Sequence, residues 1–222
     1  MIKKREKVVD ALKETARLET FSDGVFAIAI TLLVLDLLAI LHGETHEGLL
    51  KSFQLHWESF LAFFIGFSTI LICWINHHHI FNYITKVDSK LLWVNGFVLL
   101  AIMFTPLPTA ILAEYLKSEG NIALAIFGFN YCIISIASYC ITAYTYKKHL
   151  IVEESRAFFH CVVLTYAYGI VYTLIAFAVC FISVPVAVIL YLILFGAFAF
   201  PGALASKLLK RKTSRKKTIK NV

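Results

Sequence analysis

Residues 17–37 read RLETFSDGVFAIAITLLVLDL, and no other segment restricts the fold as tightly. Gly24 to Leu35 is an apolar run of 12 residues with an acid at each end, Asp23 and Asp36. A helix that meets lipid along its whole length needs roughly 20 apolar residues. A carboxylate at membrane depth costs about 2.5–3.5 kcal/mol. The segment therefore either stays out of the bilayer or crosses it shielded by neighbouring helices. A shielded, partly polar helix is the kind that lines a pathway.

The rest of the chain decides for the second alternative. Hydrophobic residues make up 59% and charged residues 16%, against roughly 45–50% and 25% in soluble domains. Six apolar stretches follow one another, at about 18–41, 54–82, 91–116, 121–146, 157–182 and 184–206. Each is longer than the roughly 17 residues that a spanning helix requires. In lipid the backbone must satisfy its own hydrogen bonds, so the stretches are predicted to be helices. No period-2 alternation appears, which argues against a β-barrel. The expected fold class is an all-α membrane protein with six transmembrane helices. The expected organisation is a single transmembrane domain over 1–206 followed by a basic tail over 207–222.

Charge predicts the orientation. Of 21 lysines and arginines, nineteen lie before the first stretch, between the second and third, between the fourth and fifth, or after the sixth. Only Lys51 and Lys117 fall on the opposite side. The positive-inside rule then places both termini in the cytoplasm. The run KLLKRKTSRKK follows a span directly and lacks interleaved aromatics, so it reads as a partner for anionic lipid headgroups rather than for nucleic acid. The five cysteines all fall inside expected spans without C-x-x-C spacing, and read as small packing residues.

Arg17, Phe21, Ser22 and Asp23 form the pattern R-x-x-x-F-S-D, followed at once by the apolar run Gly24–Leu33. This segment resembles the hallmark of the transmembrane protein 175 family of potassium channels. Length and helix count fit the family too. The hallmark occurs once, and no internal repeat is visible, as in the prokaryotic, single-unit members. The resemblance implies a homotetramer in a prokaryotic plasma membrane. Its first helices would surround a central pore for potassium and other monovalent cations, with no bound cofactor.

Ile28, Leu32 and Leu35 are spaced i, i+4 and i+7 and share one helix face, with Thr31 at its edge. The resemblance makes this face the narrow apolar part of the conduction path, in place of a carbonyl filter. Plain packing is the alternative. A ring of Thr31 hydroxyls would supply modest selectivity for potassium over sodium; bonding of that hydroxyl back to its own helix is the alternative.

Asp23 needs a partner if it is buried. The second stretch ends Trp74-Ile75-Asn76-His77-His78-His79 at the same, cytoplasmic level. Arg17, Phe21, Ser22, Asp23, Trp74, Asn76, His77 and His78 are therefore expected to form a structural network that holds the first helix. Three consecutive histidines point 100° apart and do not converge on one ion, so no metal site is expected. Asp36 and the loop His42–Glu47 would place acids at the outer mouth, where a ring of charge concentrates cations. Glu58 and Glu114 are expected at the interface. No nucleophile–base pair or phosphate loop is found, and an enzyme is not expected. The competing reading is a proton- or ion-coupled transporter with Asp23 and His77 or His78 as a relay, although such proteins usually show repeats and interrupted helices.

Overall fold

The structure, a computed structural model, describes residues 2–43 and 48–199. Its elements are α1 (Ile2–Gly43), α2 (Leu49–Leu55), α3 (Trp57–Phe81), α4 (Ser89–Met103), α5 (Pro106–Lys147), a 3-10 turn at Glu153–Ser155, α6 (Arg156–Cys180) and α7 (Val184–Ala199). Four described stretches, 13–35, 57–81, 89–147 and 153–180, are long and apolar enough to cross a bilayer, and α7 is a shorter apolar helix. The chain is an all-α integral membrane protein. Residues 200–222, which include the basic tail, lie outside the described residues.

One expected span is divided. The stretch 91–116 is helical only to Met103, and a new helix starts at Pro106. Proline has no N–H to donate and its ring collides with the preceding turn, so it is tolerated at a helix's first position and ends the helix before it. Backbone groups freed inside a membrane must be satisfied locally. Thr109 and its hydroxyl both donate to the Thr105 carbonyl, at 3.2 and 2.9 Å. The amide of Asn130 donates to the Thr105 hydroxyl at 3.0 Å.

That last bond also shows the course of the chain. Residues 105 and 130 would lie about 37 Å apart along a straight helix. They touch because α5 leaves helical geometry at Glu119, φ −137° and ψ 44°, and doubles back there. The interruption falls inside the connection expected between 116 and 121.

The two ends of the bundle can be told apart. Thr85 N–H donates to the Leu150 carbonyl at 2.8 Å, and Val152 N–H to the Tyr83 carbonyl at 2.9 Å. The connections after α3 and after α5 therefore lie side by side on one face of the membrane. At the other end, Lys117 pairs with Glu58 and donates to the Leu55 carbonyl at 3.4 Å. Glu58 is 4% exposed. Glu58 is thus buried against its own bundle while its partner Lys117 stays exposed.

Lipid tails are as apolar as leucine, so helices in a bilayer gain little from hiding apolar side chains from lipid. Close approach and polar bridges hold them instead. Gly66 of α3 is one such approach: a Cβ there would lie 2.8 and 2.9 Å from Thr109 of α5 and 3.2 Å from Leu33 of α1. Phe26, Ala29 and Leu33 form the buried face of α1 at helical spacing and pack into a core shared with α3, α4 and α5.

Candidate functional site

The opposite face of α1 is exposed. Ile28 is 53% and Leu35 54% exposed, with Leu32 at 36% and Thr31 also exposed. The stripe continues toward the N-terminus through Gly24 to Phe21, which is 64% exposed. The Thr31 hydroxyl donates to the Ile28 carbonyl at 2.9 Å, three residues back. Its two lone pairs still point outward and remain free to accept a hydrogen bond or a cation.

Three polar bridges at residues 19–23 fasten α1 to its neighbours. In the first, the indole Nε1–H of Trp74 donates to Asp23 Oδ1 at 2.9 Å. The second runs through three side chains. His77 Nε2 lies 2.8 Å from Asn95 Oδ1, so this nitrogen carries the proton. Asn95 Nδ2 donates to the Ser22 hydroxyl at 2.9 Å, and Ser22 in turn donates to the Leu18 carbonyl at 2.8 Å. Ser22, His77 and Asn95 are all buried. The third bridge, at the exposed rim, joins His78 Nδ1 to Glu19 Oε1 at 2.9 Å.

The expected network is thus drawn together in part. Ser22, Asp23, Trp74, His77 and His78 meet as described, with His77 sandwiched between Phe26 and Phe81 and His78 stacked on Trp74. Asn76 lies elsewhere. Its amide donates to the Ile72 and Phe198 carbonyls and accepts from the Tyr166 hydroxyl at 3.1 Å, so it binds α3 to α6 and α7. One residue is a 100° rotation on a helix, and Asn76 next to His77 therefore looks into a different neighbour. Arg17 and Phe21 also stand apart: both are exposed, and the Arg17 side chain has no hydrogen bond or ion pair among the described residues. The Asp36 side chain and residues 44–47 lie outside the described residues.

Asn95 and Glu19 are members that the sequence reading missed. A lone asparagine inside an otherwise apolar span was the available signal, because buried amides in a membrane need partners. Among the described residues no three of His, Cys, Asp and Glu converge on a common point, and the five cysteines are free.

At the end of the bundle where the connections meet, the Asp88 carboxylate caps α4 through the Leu91 N–H at 2.8 Å and accepts from the Tyr144 hydroxyl at 2.7 Å. The tyrosine bond, aided by that N–H, holds its carboxyl below the ordinary aspartate value.

A bundle of apolar helices, held internally by polar bridges and leaving an apolar stripe of its first helix bare, defines the chain as a polytopic α-helical membrane protein. Comparison with known proteins adds the family. The model described as endosomal/lysosomal potassium channel TMEM175 matches residues 17–106. A potassium channel of Chamaesiphon minutus is 39% identical over 175 residues, 77% of this chain and 86% of that protein. A potassium channel of Streptomyces collinus is 39% identical over 128 residues, 57% of this chain and 62% of its own length. The crystal structure of a lysosomal potassium-selective channel TMEM175 homolog from Chamaesiphon minutus superimposes with a TM-score of 0.75 at 35% identity, covering 86% of this chain and 98% of that one. The chain belongs to the TMEM175 family of membrane channels.

Proposed function

We propose that four copies of this chain form a potassium-permeable cation channel, weakly selective for potassium over sodium, in a prokaryotic plasma membrane with both termini cytoplasmic. The observation that carries the reading is the bare stripe Ile28, Leu32 and Leu35 on a helix whose other side is bridged to its own bundle. Fourfold symmetry about that stripe makes three stacked apolar rings. Rings of this kind exclude water and ions by dewetting until they widen. Thr31 then offers the nearest hydroxyl oxygens to a partly dehydrated cation. The named potassium channels among the relatives support the choice of ion.

The transporter alternative needs a proton path between Asp23 and the histidines. Asp23 is bonded to the Trp74 indole, which stacks on His78 and which donates and cannot accept, while His77 is bonded to Asn95 instead. That gap disfavours a relay.

Purified protein in liposomes tests the proposal. Unitary currents under a potassium gradient are expected, growing in Ile28→Ala and Leu35→Ala with poorer discrimination between potassium and sodium. Thr31→Ala is expected to lower discrimination with little change in conductance. If both apolar variants conduct and select like the unaltered protein, α1 does not line the path.

A further inference from the structure

Arg17 is part of the hallmark yet has no partner among the described residues of its own protomer. The same is true of Glu14, one turn earlier: both side chains are exposed, and neither makes a hydrogen bond or ion pair among the described residues, not even with each other. An exposed arginine on the pore-forming helix of a cation channel stands against function, because four of them would repel the permeant ion at its entrance.

Helix geometry places the two charges. At about 100° per residue, and taking Arg17 as the origin, Leu35 lies near 0°, Ile28 near 20° and Leu32 near 60°. Their mean direction, about 27°, is the direction of the pore axis on the proposed function, on which this inference rests. Arg17 then lies about 27° to one side of the axis and Glu14, near 60°, about 33° to the other. In a square of four helices the two adjacent helices lie about 45° to either side of the axis, by the symmetry that closes a ring. Arg17 of each copy therefore faces one neighbour, and Glu14 faces the other. The step along the helix between them is about 4.5 Å, within reach of an arginine.

We propose that the cytoplasmic mouth is encircled by four ion pairs, each between Arg17 of one copy and Glu14 of the next. The receiving side is already shaped for it. Glu14 borders an open cleft between α1 and the start of α4, which Arg17 of the same copy, Phe21, Asp88 and Leu92 also line. A neighbour's guanidinium entering on the Glu14 side meets that free carboxylate, with Asp88, already bonded to Tyr144, beyond it. The ring neutralises Arg17 at the entrance and fixes the register of the four α1 helices about two turns below the Asp23 level.

Disulfide trapping tests this. Chains carrying Glu14→Cys and chains carrying Arg17→Cys, differently tagged, are co-expressed and oxidised in the membrane; both positions are exposed, so neither change disturbs the core. A mixed disulfide-linked dimer is expected, absent from the unaltered protein with its own five cysteines. Ile28→Cys, expected to cross-link between copies at the constriction, serves as the reference. If Ile28→Cys cross-links and the mixed pair does not, the ring is refuted and the pore reading stands. If Ile28→Cys also fails, the pore reading itself is refuted. In liposomes, Glu14→Arg is expected to lower potassium entry from the cytoplasmic side several-fold at low salt, and Glu14→Arg with Arg17→Glu together to restore it. Failure of the double variant to restore entry refutes the pairing.

Discussion

Asn95→Ala is the most informative single perturbation of this fold. Asn95 accepts from His77 at 2.8 Å and donates to Ser22 at 2.9 Å, joining α3 and α1 through α4. Polar contacts between membrane helices are worth about 0.6 kcal/mol on average and up to about 1.7. Two of them give about 1–3 kcal/mol. The His77 N–H is left buried without an acceptor, a penalty of about 1–3 kcal/mol by itself, which places the total near the top of that range. His77 already has one ring nitrogen, Nδ1, without a partner among the described residues, so the ring has nowhere else to turn. A loss of about 3 kcal/mol in a chain of this length lowers the melting midpoint by about 6–12 °C. The protein supplies its own probe, since Cys132, Cys161 and Cys180 are buried and become reactive to a thiol-specific fluorophore on unfolding. Ser22→Ala should cost less, about 0.5–1.5 kcal/mol, because only one bond to Asn95 is lost and the amide nitrogen alone is left. If Asn95→Ala melts together with the unaltered protein, the bridge contributes nothing net, and apolar packing alone retains α1.

Other substitutions probe separate features. Gly66→Ala puts a methyl group within 3 Å of Thr109 and should cost about 1–3 kcal/mol by forcing α3 from α5, read as a lower melting midpoint. Lys117→Met leaves the buried Glu58 carboxylate without its cation and should destabilise by about 1–3 kcal/mol, less than for a fully buried pair because Lys117 is itself exposed; a variant that melts normally would show the pair to be dispensable. Tyr144→Phe removes the main cause of the lowered Asp88 value. That bond contributes stability above the ordinary carboxyl value of 3.8 and loses it as pH falls through the lower folded value, so the variant and the unaltered protein should differ at neutral pH and converge in acid.

Much of the architecture was legible in the sequence because a bilayer leaves the backbone few choices. Apolar runs of spanning length had to be helical, and the 54–82 stretch encloses α3 almost end to end. Breaks were harder to see. Pro106 sits in a run whose hydropathy hardly changes, and only its missing N–H marks the boundary. Which polar groups would meet was harder still. Depth placed Trp74, Asn76 and His77 at the level of Asp23, but depth says nothing about azimuth, and Asn76 turned to α6 instead. Asn95 contacts Ser22 across 73 residues of sequence, and no local pattern announces such a pairing.

The three bridges described from α1 to the bundle lie in one short interval, Glu19 to Asp23, while Phe26, Ala29 and Leu33 beyond it meet the core through apolar side chains. Hydrogen bonds resist tilting because they are directional; dispersion contacts between smooth apolar surfaces tolerate sliding and small rotations. The helix is therefore mounted like a lever with its fulcrum near the cytoplasmic end. Ile28 lies close to that fulcrum and Leu35 about 10 Å further out along the arm. A tilt of a few degrees about the fulcrum moves Leu35 about twice as far as Ile28, so in the proposed channel dilation of the path begins at its outer end and reaches Ile28 last.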